Sequence, residues 1–285
     1  MSQREEDGFR ADIVEVGRRM YARAYVASND GNISIRLDDS TILTTPKSVS
    51  KGFMTPDMMV VVDLDGKKIR GTRDASSELL MHLEVYKNRP DVRSVVHAHP
   101  PIATGFAVAG IPLDRAVLAE VVTTLGSIPI AEYGTPSTPE LPAAVRKYIK
   151  AHDGLLLANH GALTIGADVY AAYYKMETIE HFAKISLVTR QLGRENLLSR
   201  EEVHRLQELR GNYGIKAPAP ICADGSEPAN VDQASCQIVE APSSRGARLI
   251  PTDPADMDGE IRLSYRELTA LIEDAVKALL GGQHG

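Results

Sequence analysis

Apolar residues recur at helical spacing at the start of the chain and in short runs further along it. Ile13, Val16 and Met20 lie three or four positions apart, which predicts an amphipathic helix over residues 8–25. The same argument predicts helices over 78–87, 139–151 and 169–192. Apolar runs bounded by turn-forming residues predict strands over 32–36, 41–44, 59–63, 94–99, 128–133 and 154–158. Short hairpins mixed with helices favour a layered α/β domain over residues 1–216 rather than a regular array of parallel strands and helices.

The pattern changes after residue 216. Residues 217–259 contain six prolines and no sustained periodicity. Too few apolar clusters are present there to offset the entropy of ordering the chain. The composition therefore predicts a flexible linker rich in Pro, Ser and Gly.

An amphipathic helix is predicted within residues 260–285. Ser264 and Glu267 form a capping-box pattern, in which each side chain binds a free amide of the first turn. The apolar stripe that follows is Leu268, Leu271, Ile272, Ala275, Val276, Leu279 and Leu280. Such a helix is marginal alone, so we expect it to pack on its own domain, to pair within an oligomer, or to dock into a groove of another protein.

Composition narrows the class of protein. The 285 residues are 43% hydrophobic and 25% charged, and the net charge of -6 is spread along the chain without a basic stripe for nucleic acid. No apolar run is long enough to predict a transmembrane helix. The polar N-terminus is unlike a secretory signal, and Cys222 and Cys236 form no CxxC motif. We therefore expect a cytoplasmic protein without a membrane or nucleic-acid partner.

Three histidines lie in or just after apolar runs. His97 and His99 stand two apart, and a period of two puts both imidazoles on one face of a strand. His160 ends another apolar run. Imidazoles at such positions are costly unless something uses them, and three of them suit zinc with a fourth position open. Hydrogen-bonded core histidines are the alternative, but an H-x-H pair with a third histidine favours a metal site.

Two polar clusters accompany the histidines. Gly31-Asn32 follows a predicted turn, and Ser76-Ser77 precedes a predicted helix. Small residues with hydroxyl groups and free amides can hold a phosphate or a carboxylate at such places. A plain turn and a plain helix cap are the alternatives.

The order of these motifs resembles that of the class II aldolase/adducin family, with L-fuculose-1-phosphate aldolases as the most similar members. The matching motifs are Gly31-Asn32-Ile33-Ser34, Thr45-Pro46, Ser76-Ser77-Glu78, His97-Ala98-His99 and Asn159-His160-Gly161. The resemblance covers residues 8–216. It implies a three-layer α/β/α domain around a mostly antiparallel sheet, assembled as a homotetramer with active sites between subunits.

The resemblance also implies the site residues. One Zn2+ per subunit, or another divalent cation, is expected on Glu78, His97, His99 and His160, with Glu78 as the acid–base. The phosphate of the substrate is expected on Gly31, Asn32, Lys47, Ser48, Ser76 and Ser77. Lys47-Ser48 stands where family members have Thr-Gly, and a lysine there could supply a positive charge.

The implied reaction cleaves L-fuculose or L-rhamnulose 1-phosphate to dihydroxyacetone phosphate and lactaldehyde. Zinc stabilises the enediolate as a Lewis acid, and Glu78 moves a proton at C3. Family aldolases use tyrosines of a neighbouring subunit as further proton-transfer groups, and Tyr213 matches one of them by its context. The second has no counterpart near 116–120, where Glu120 is the expected substitute and a plain surface glutamate is the alternative.

Other activities occur within the same family. They include sugar-phosphate 4-epimerases, sugar-acid phosphate decarboxylases and a methylthioribulose-phosphate dehydratase. Epimerases typically have aspartate at the position of Glu78, which favours an aldolase, whereas the missing tyrosine weakens that preference. Adducin head domains are a non-enzymatic scaffold alternative, but they lack the three metal histidines that this chain has.

The linker and terminal helix resemble the encapsulation peptides that direct enzymes into bacterial microcompartments. Some of these compartments degrade fucose and rhamnose and confine lactaldehyde. The resemblance implies a shell protein as a partner of residues 260–285, beside the phosphorylated sugar, and a location in the microcompartment lumen as an alternative to the open cytoplasm.

Overall fold

Seven α-helices and eight strands make up the described part of the chain. The computed structural model describes residues 2–212 together with Ile215 and Ile221. The helices are α1 (Gln3–Ala22), α2 (Leu79–Asn88), α3 (Pro101–Ala109), α4 (Ala119–Thr124), α5 (Glu140–Arg146), α6 (Val169–Gln191) and α7 (Arg200–Asn212). The strands are β1 (Asn32–Arg36), β2 (Thr41–Thr44), β3 (Val60–Asp63), β4 (Lys68–Arg70), β5 (Ser94–Ala98), β6 (Ile130–Ala131), β7 (Gly154–Leu157) and β8 (Gly161–Gly166). Two short 3-10 helices, Lys51–Phe53 and Pro56–Met58, connect β2 to β3.

The predicted elements are present, and several have shifted ends. β1 and β2 have the predicted bounds. α1 begins earlier than predicted because Ser2 and Glu5 cap it: Ser2 Oγ accepts from the Glu5 amide at 3.3 Å, and Glu5 Oε2 accepts from the Ser2 amide at 2.7 Å. The strand predicted over 128–133 is limited to Ile130–Ala131, and the helix predicted over 139–151 ends at Arg146.

The apolar pattern does not predict β4, β8, α3, α4 or α7. β4 is exposed along its length, so its sequence carries no apolar signal. β8 is buried throughout, but it follows β7 after the turn 158–160. The two strands therefore lie in one apolar stretch, which Asn159 and His160 interrupt.

One mixed sheet crosses the domain in the order β4-β3-β2-β1-β5-β8-β7-β6. All neighbouring strands are antiparallel except β6 and β7, which are parallel. The register places Asn32 of β1 opposite His97 of β5, and Ala98 of β5 opposite Ala162 of β8. The predicted, mostly antiparallel sheet is confirmed, and its central strands carry predicted site residues.

Helices cover both faces of this sheet. Apolar side chains of α1, α3 and α6 pack on one face together with Val96 of β5. Those of α2 and α5 pack on the other face together with Val95. Since successive side chains of a strand point to opposite faces, His97 and Asn32 lie on the α2 face. The predicted three-layer α/β/α arrangement is confirmed, and it places these polar side chains beside the start of α2.

Several predictions lie outside the described residues. They concern Tyr213, the two cysteines, the linker over 217–259 apart from Ile221, and the helix within 260–285. The domain boundary after residue 216 therefore stays a prediction. Within residues 2–212, no helix is long and apolar enough to cross a membrane.

Candidate metal centre and adjoining cavity

Three histidines converge where β5 meets the turn between β7 and β8. His97 lies in β5, His99 follows the end of that strand, and His160 lies in the turn. Because β8 pairs with β5, the turn that precedes β8 lies beside the end of β5. One ligand atom from each ring lies within 4.8 Å of the other two. Within residues 2–212 no other group of His, Cys, Asp or Glu has this geometry.

The close approach of the His160 turn requires a residue without a side chain. A Cβ at Gly161 would lie 2.5 Å from the carbonyl oxygen of Ala98 and 2.6 Å from the ring of His99. Both distances are shorter than real carbon contacts, so any larger residue would push the turn away from β5. Gly161 therefore allows His160 to reach the other two rings.

The hydrogen bond of His97 determines which ring nitrogen is available to a metal. Its Nδ1 lies 2.9 Å from the carbonyl oxygen of Ala162, which can only accept, so Nδ1 carries the proton. Nε2 therefore has a lone pair, and it lies 3.2 Å from Nε2 of His99. Burial lowers the pKa of His97 well below its ordinary value and shifts the pKa of His99 in the same direction. The lowered pKa values favour the neutral form of both rings, which is the form that binds metals.

Glu78 brings a carboxylate to the histidines. Its Oε1 lies 3.0 Å from Nε2 of His160, and its Oε2 lies 3.4 Å from Nε2 of His97. Burial alone would raise the pKa of Glu78, but attraction to His97, when a proton is carried there, and the hydrogen bond with His160 outweigh burial and hold the pKa well below its usual range. One carboxylate and three imidazoles are a donor set that suits zinc and other divalent transition metals. The residues present therefore fit the expected cation.

Asp30 contacts the outer side of this cluster. Its Oδ2 lies 3.4 Å from Nδ1 of His99, the nitrogen opposite the one that faces His97. A carboxylate at the second nitrogen orients a ligating imidazole and makes it a better donor. Asp30 was not predicted from sequence, because an aspartate beside a glycine is typical of any turn.

A cavity of about 290 Å3 adjoins the histidines, and Glu78 and His99 line it. Five of the six residues predicted to bind phosphate line the same cavity: Gly31, Lys47, Ser48, Ser76 and Ser77. The cavity thus extends from the candidate metal centre to two polar loops. A ligand that carries both metal-binding oxygens and an anionic group could contact both ends.

Asn32, the sixth predicted phosphate residue, has another set of contacts. Its side-chain amide donates to Ser76 Oγ at 3.0 Å and to Glu78 Oε2 at 3.1 Å. An amide nitrogen has two N–H groups, so both are engaged. The side chain of Asn32 therefore holds the carboxylate and the serine, and it has no N–H left for a phosphate.

Ser48 stands where family members have glycine, and its backbone adopts a conformation that favours glycine. Ser48 has a φ of 58°, in the left-handed region that favours glycine. This conformation costs a non-glycine residue about 1–2 kcal/mol. This cost explains why glycine suits the position of Ser48. Lys47, the other residue that departs from the family pattern, lines the cavity.

Glu120 does not lie with the histidine cluster. It is exposed in the first turn of α4 and lines a separate groove together with Tyr25 and Tyr174. Lys51, by contrast, lines the cavity and was not predicted. Its flanking residues, Ser50 and Gly52, are typical of an exposed loop, so no sequence signal marks it as buried.

The chain is similar to proteins of one family over the region that holds these residues. A family model described as Class II Aldolase and Adducin N-terminal domain matches residues 11–187. A protein of Methanococcus maripaludis named L-fuculose phosphate aldolase is 34% identical over 181 residues, which are 64% of this chain and 97% of that protein. A protein of Pectobacterium atrosepticum named 3-oxo-tetronate 4-phosphate decarboxylase is 31% identical over 187 residues, 64% of this chain and 85% of that protein. A solved structure described as L-fuculose 1-phosphate aldolase has a TM-score of 0.67 and 28% identity, covering 73% of this chain and 96% of that one.

Proposed function

We propose that the chain breaks a carbon–carbon bond of a phosphorylated sugar and releases dihydroxyacetone phosphate. The chain belongs to the class II aldolase and adducin family and is a lyase. The proposed substrate is L-fuculose or L-rhamnulose 1-phosphate, with lactaldehyde as the second product, and the proposed cation is zinc. The observation that carries the proposal is the contact of Glu78 with His97 and His160 at one end of a polar cavity.

Glu78 is the proposed acid–base group. When bound, a divalent cation supplies Lewis acidity that offsets the negative charge left on the dihydroxyacetone phosphate fragment. Glu78 is ionised, lines the cavity, and accepts a hydrogen bond from Asn32. A carboxylate so placed can accept or return a proton at C3 of the fragment.

The other end of the cavity is the proposed phosphate site. Ser76 and Ser77 offer hydroxyl donors, and Lys47 offers a positive charge. Charge-assisted hydrogen bonds to phosphate are roughly twice as strong as neutral ones. Binding energy from the phosphate can therefore hold the reacting carbons near Glu78.

Decarboxylation of a 3-oxo-tetronate 4-phosphate is the second candidate. Loss of CO2 from such an acid leaves the same dihydroxyacetone phosphate enediolate that aldol cleavage leaves. Aldol cleavage also needs an acceptor for the hydroxyl proton of the leaving aldehyde, whereas decarboxylation does not. Among the described residues that line the cavity there is no tyrosine, and Glu120 lies elsewhere. That lining and the similarity to the decarboxylase of Pectobacterium atrosepticum favour this candidate.

A substrate panel distinguishes the two reactions. Metal-loaded protein is given ketose 1-phosphates and 3-oxo-tetronate 4-phosphates, and dihydroxyacetone phosphate, lactaldehyde and CO2 are measured separately. Lactaldehyde supports the aldolase and CO2 supports the decarboxylase. If no member of the panel releases dihydroxyacetone phosphate, the proposal is wrong. Glu78→Gln should lower either turnover about 100-fold or more while largely keeping the fold.

In a homotetramer with active sites between subunits, a neighbouring subunit would supply the proton acceptor that aldol cleavage needs. Tyr213 and Glu120 are the proposed contributions of a neighbouring subunit. Co-expression of a Tyr213→Phe chain with a Glu78→Gln chain tests this, because mixed oligomers would contain some sites with both intact residues. Activity above that of either variant alone supports shared sites, and a monomer by light scattering contradicts them.

The C-terminal quarter of the chain, residues 217–285, is a proposed addition to the enzyme. The 181 aligned residues span 97% of the Methanococcus maripaludis protein but 64% of this chain. We propose that residues 217–285 consist of a linker over 217–259 and an encapsulation peptide over 260–285 that binds a microcompartment shell protein. Fusion of this segment to a fluorescent protein should give foci in cells that make the shell. Diffuse fluorescence there would contradict targeting.

A further inference from the structure

Lys51 lines the cavity but has no part in the reaction described above. The residue is 2% exposed, which is unusual for a lysine. Burial of an ammonium group is costly unless nearby groups compensate for the lost water. The burial of Lys51 therefore requires contacts that compensate for the lost water.

The ammonium group holds the two loops that form the walls of the cavity. Its Nζ donates to the carbonyl oxygen of Asn29 at 2.9 Å and to that of Val49 at 2.7 Å. Asn29 precedes Gly31, and Val49 follows Ser48, so the two carbonyl groups belong to different walls. An ammonium group has three N–H donors, and these contacts use two of them. A third donor remains for a ligand in the cavity.

The backbone of Lys51 is held against α1. A Cβ at Gly17 of α1 would lie 2.8 Å from the carbonyl oxygen of Lys51, and a Cβ at Gly52 would lie 2.5 Å from the ring of Tyr21. These close approaches leave little room for the 3-10 helix Lys51–Phe53 to move. The ammonium group is therefore positioned before any ligand arrives, which lowers the entropy cost of binding.

The charges around Lys51 show why an anionic ligand in this cavity would need a lysine. Burial lowers the pKa of Lys51 to about 8, and Asp30 and Glu78 oppose that shift. These two carboxylates and Lys47 also line the cavity. A phosphate dianion placed beside two carboxylates is repelled by them, so it needs close cations to bind.

We propose that Lys51 is a preorganised phosphate-binding residue, which contacts the dianionic group of the substrate through its third N–H while it joins the two loops. This inference rests on the proposed phosphate-bearing substrate. It distinguishes Lys51 from Lys47, because Lys51 is fixed by two main-chain carbonyl groups and its side chain loses little freedom on binding.

Calorimetric titration of inorganic phosphate into the metal-loaded full chain tests the proposal without turnover. Lys51→Met keeps a similar side-chain length and removes the charge, so the Kd should rise about 10-fold or more, as for a lost charge-assisted hydrogen bond. Lys51→Arg keeps the charge and should retain more of the affinity. Lys87→Met is the matched control, because Lys87 is half-exposed on α2, pairs with the exposed Asp65 and does not line the cavity.

Metal content and melting temperature are measured for each variant. A folded, metal-loaded Lys51→Met protein that binds phosphate as tightly as the unmodified chain would overturn the proposal and leave Lys51 a structural residue. If Lys51→Met does not fold, the pH dependence of phosphate binding to the unmodified chain tests the proposal instead. The affinity of that chain for the phosphate dianion should fall as the pH rises from about 7 to about 9, because Lys51 loses its proton there while Glu78 stays ionised. A constant affinity over that range would contradict the proposal.

The phosphate titration separates this inference from the proposed reaction. If the substrate panel fails but phosphate binding depends on Lys51, the binding role holds and the assigned reaction is wrong. If a panel member is cleaved but Lys51→Met keeps its KM and its phosphate affinity, the reaction holds and the role of Lys51 is wrong.

Discussion

Asn32 Nδ2 donates a hydrogen bond to Glu78 Oε2 at 3.1 Å, which joins β1 to the residue before α2. The same amide donates to Ser76 Oγ at 3.0 Å. Asn32 is buried, and the sheet register places it opposite His97. The direction of the Glu78 carboxylate is therefore set by a strand of the central sheet as well as by its own loop.

Replacement of Asn32 by alanine should lower kcat about 10-fold or more. Removal of the amide takes away the hydrogen bond that Asn32 donates to Glu78 Oε2, and a lost hydrogen bond to a charged group costs about 1.5–3 kcal/mol. Steady-state kinetics on whichever substrate the panel identifies would measure the effect. Asn88→Ala is the control, because it removes a hydrogen bond to Glu84 on the same helix away from the cavity. Equal kcat values for the Asn32 variant and the unmodified protein would contradict the orienting role.

Removal of the cation should abolish activity and lower the melting temperature. A ligand present at 100 times its Kd stabilises the folded state by about 2.7 kcal/mol, so chelation removes stabilisation of that order. Elemental analysis, thermal melts and activity before and after re-addition of zinc would test this. His97→Ala should abolish cation binding, whereas His204→Ala, at an exposed site on α7, should not. Chelated protein that retains its full rate would exclude a metal-dependent reaction.

Gly17→Ala should destabilise the fold by about 1–3 kcal/mol, because overpacking a tight contact has this cost. A Cβ there would lie 2.4 Å from Met54 Cε and 2.8 Å from the carbonyl oxygen of Lys51. Gly8→Ala, on the same helix, meets nothing within 4 Å and should stabilise by up to about 1 kcal/mol. Urea denaturation of the two variants measures the difference. A Gly17→Ala protein as stable as Gly8→Ala would show that the contact with Lys51 is loose.

The stability contribution of Glu84 should depend on pH. Arg146 and Asn88 hydrogen-bond to this carboxylate, and the Arg146 contact is the main reason that its pKa is lowered. Because the folded state binds the proton more weakly than the unfolded state, the contribution is present above the unfolded pKa and is lost as the pH falls through the folded pKa. At neutral pH Glu84→Gln should cost about 1 kcal/mol. The difference in melting temperature between the two proteins should shrink on acidification below about pH 4, and a constant difference would contradict this origin.

The sequence by itself determined the helices and strands with a clear apolar pattern, though not β4, β8, α3, α4 or α7, and it identified the histidine cluster. β1 and β2 have their predicted bounds, because alternation between two faces is a property of consecutive residues. His97 and His99 lie on one side of β5 for the same reason. The motif order also indicated the family, and the resemblance to that family implied the three layers and the loops that line the cavity. Each of these conclusions depends on spacing within a short segment or on the order of such segments.

Only the tertiary structure decided which side chains contact one another. Asn32 and Glu78 lie 46 positions apart, and their hydrogen bond depends on the order of strands in the sheet. Lys51 is buried because two loops and α1 close around it, although its neighbours in sequence are typical of a surface turn. Glu120 lines a different groove because α4 places it there. Contacts over such separations arise from packing between elements, and local patterns carry no information about which partner each element meets.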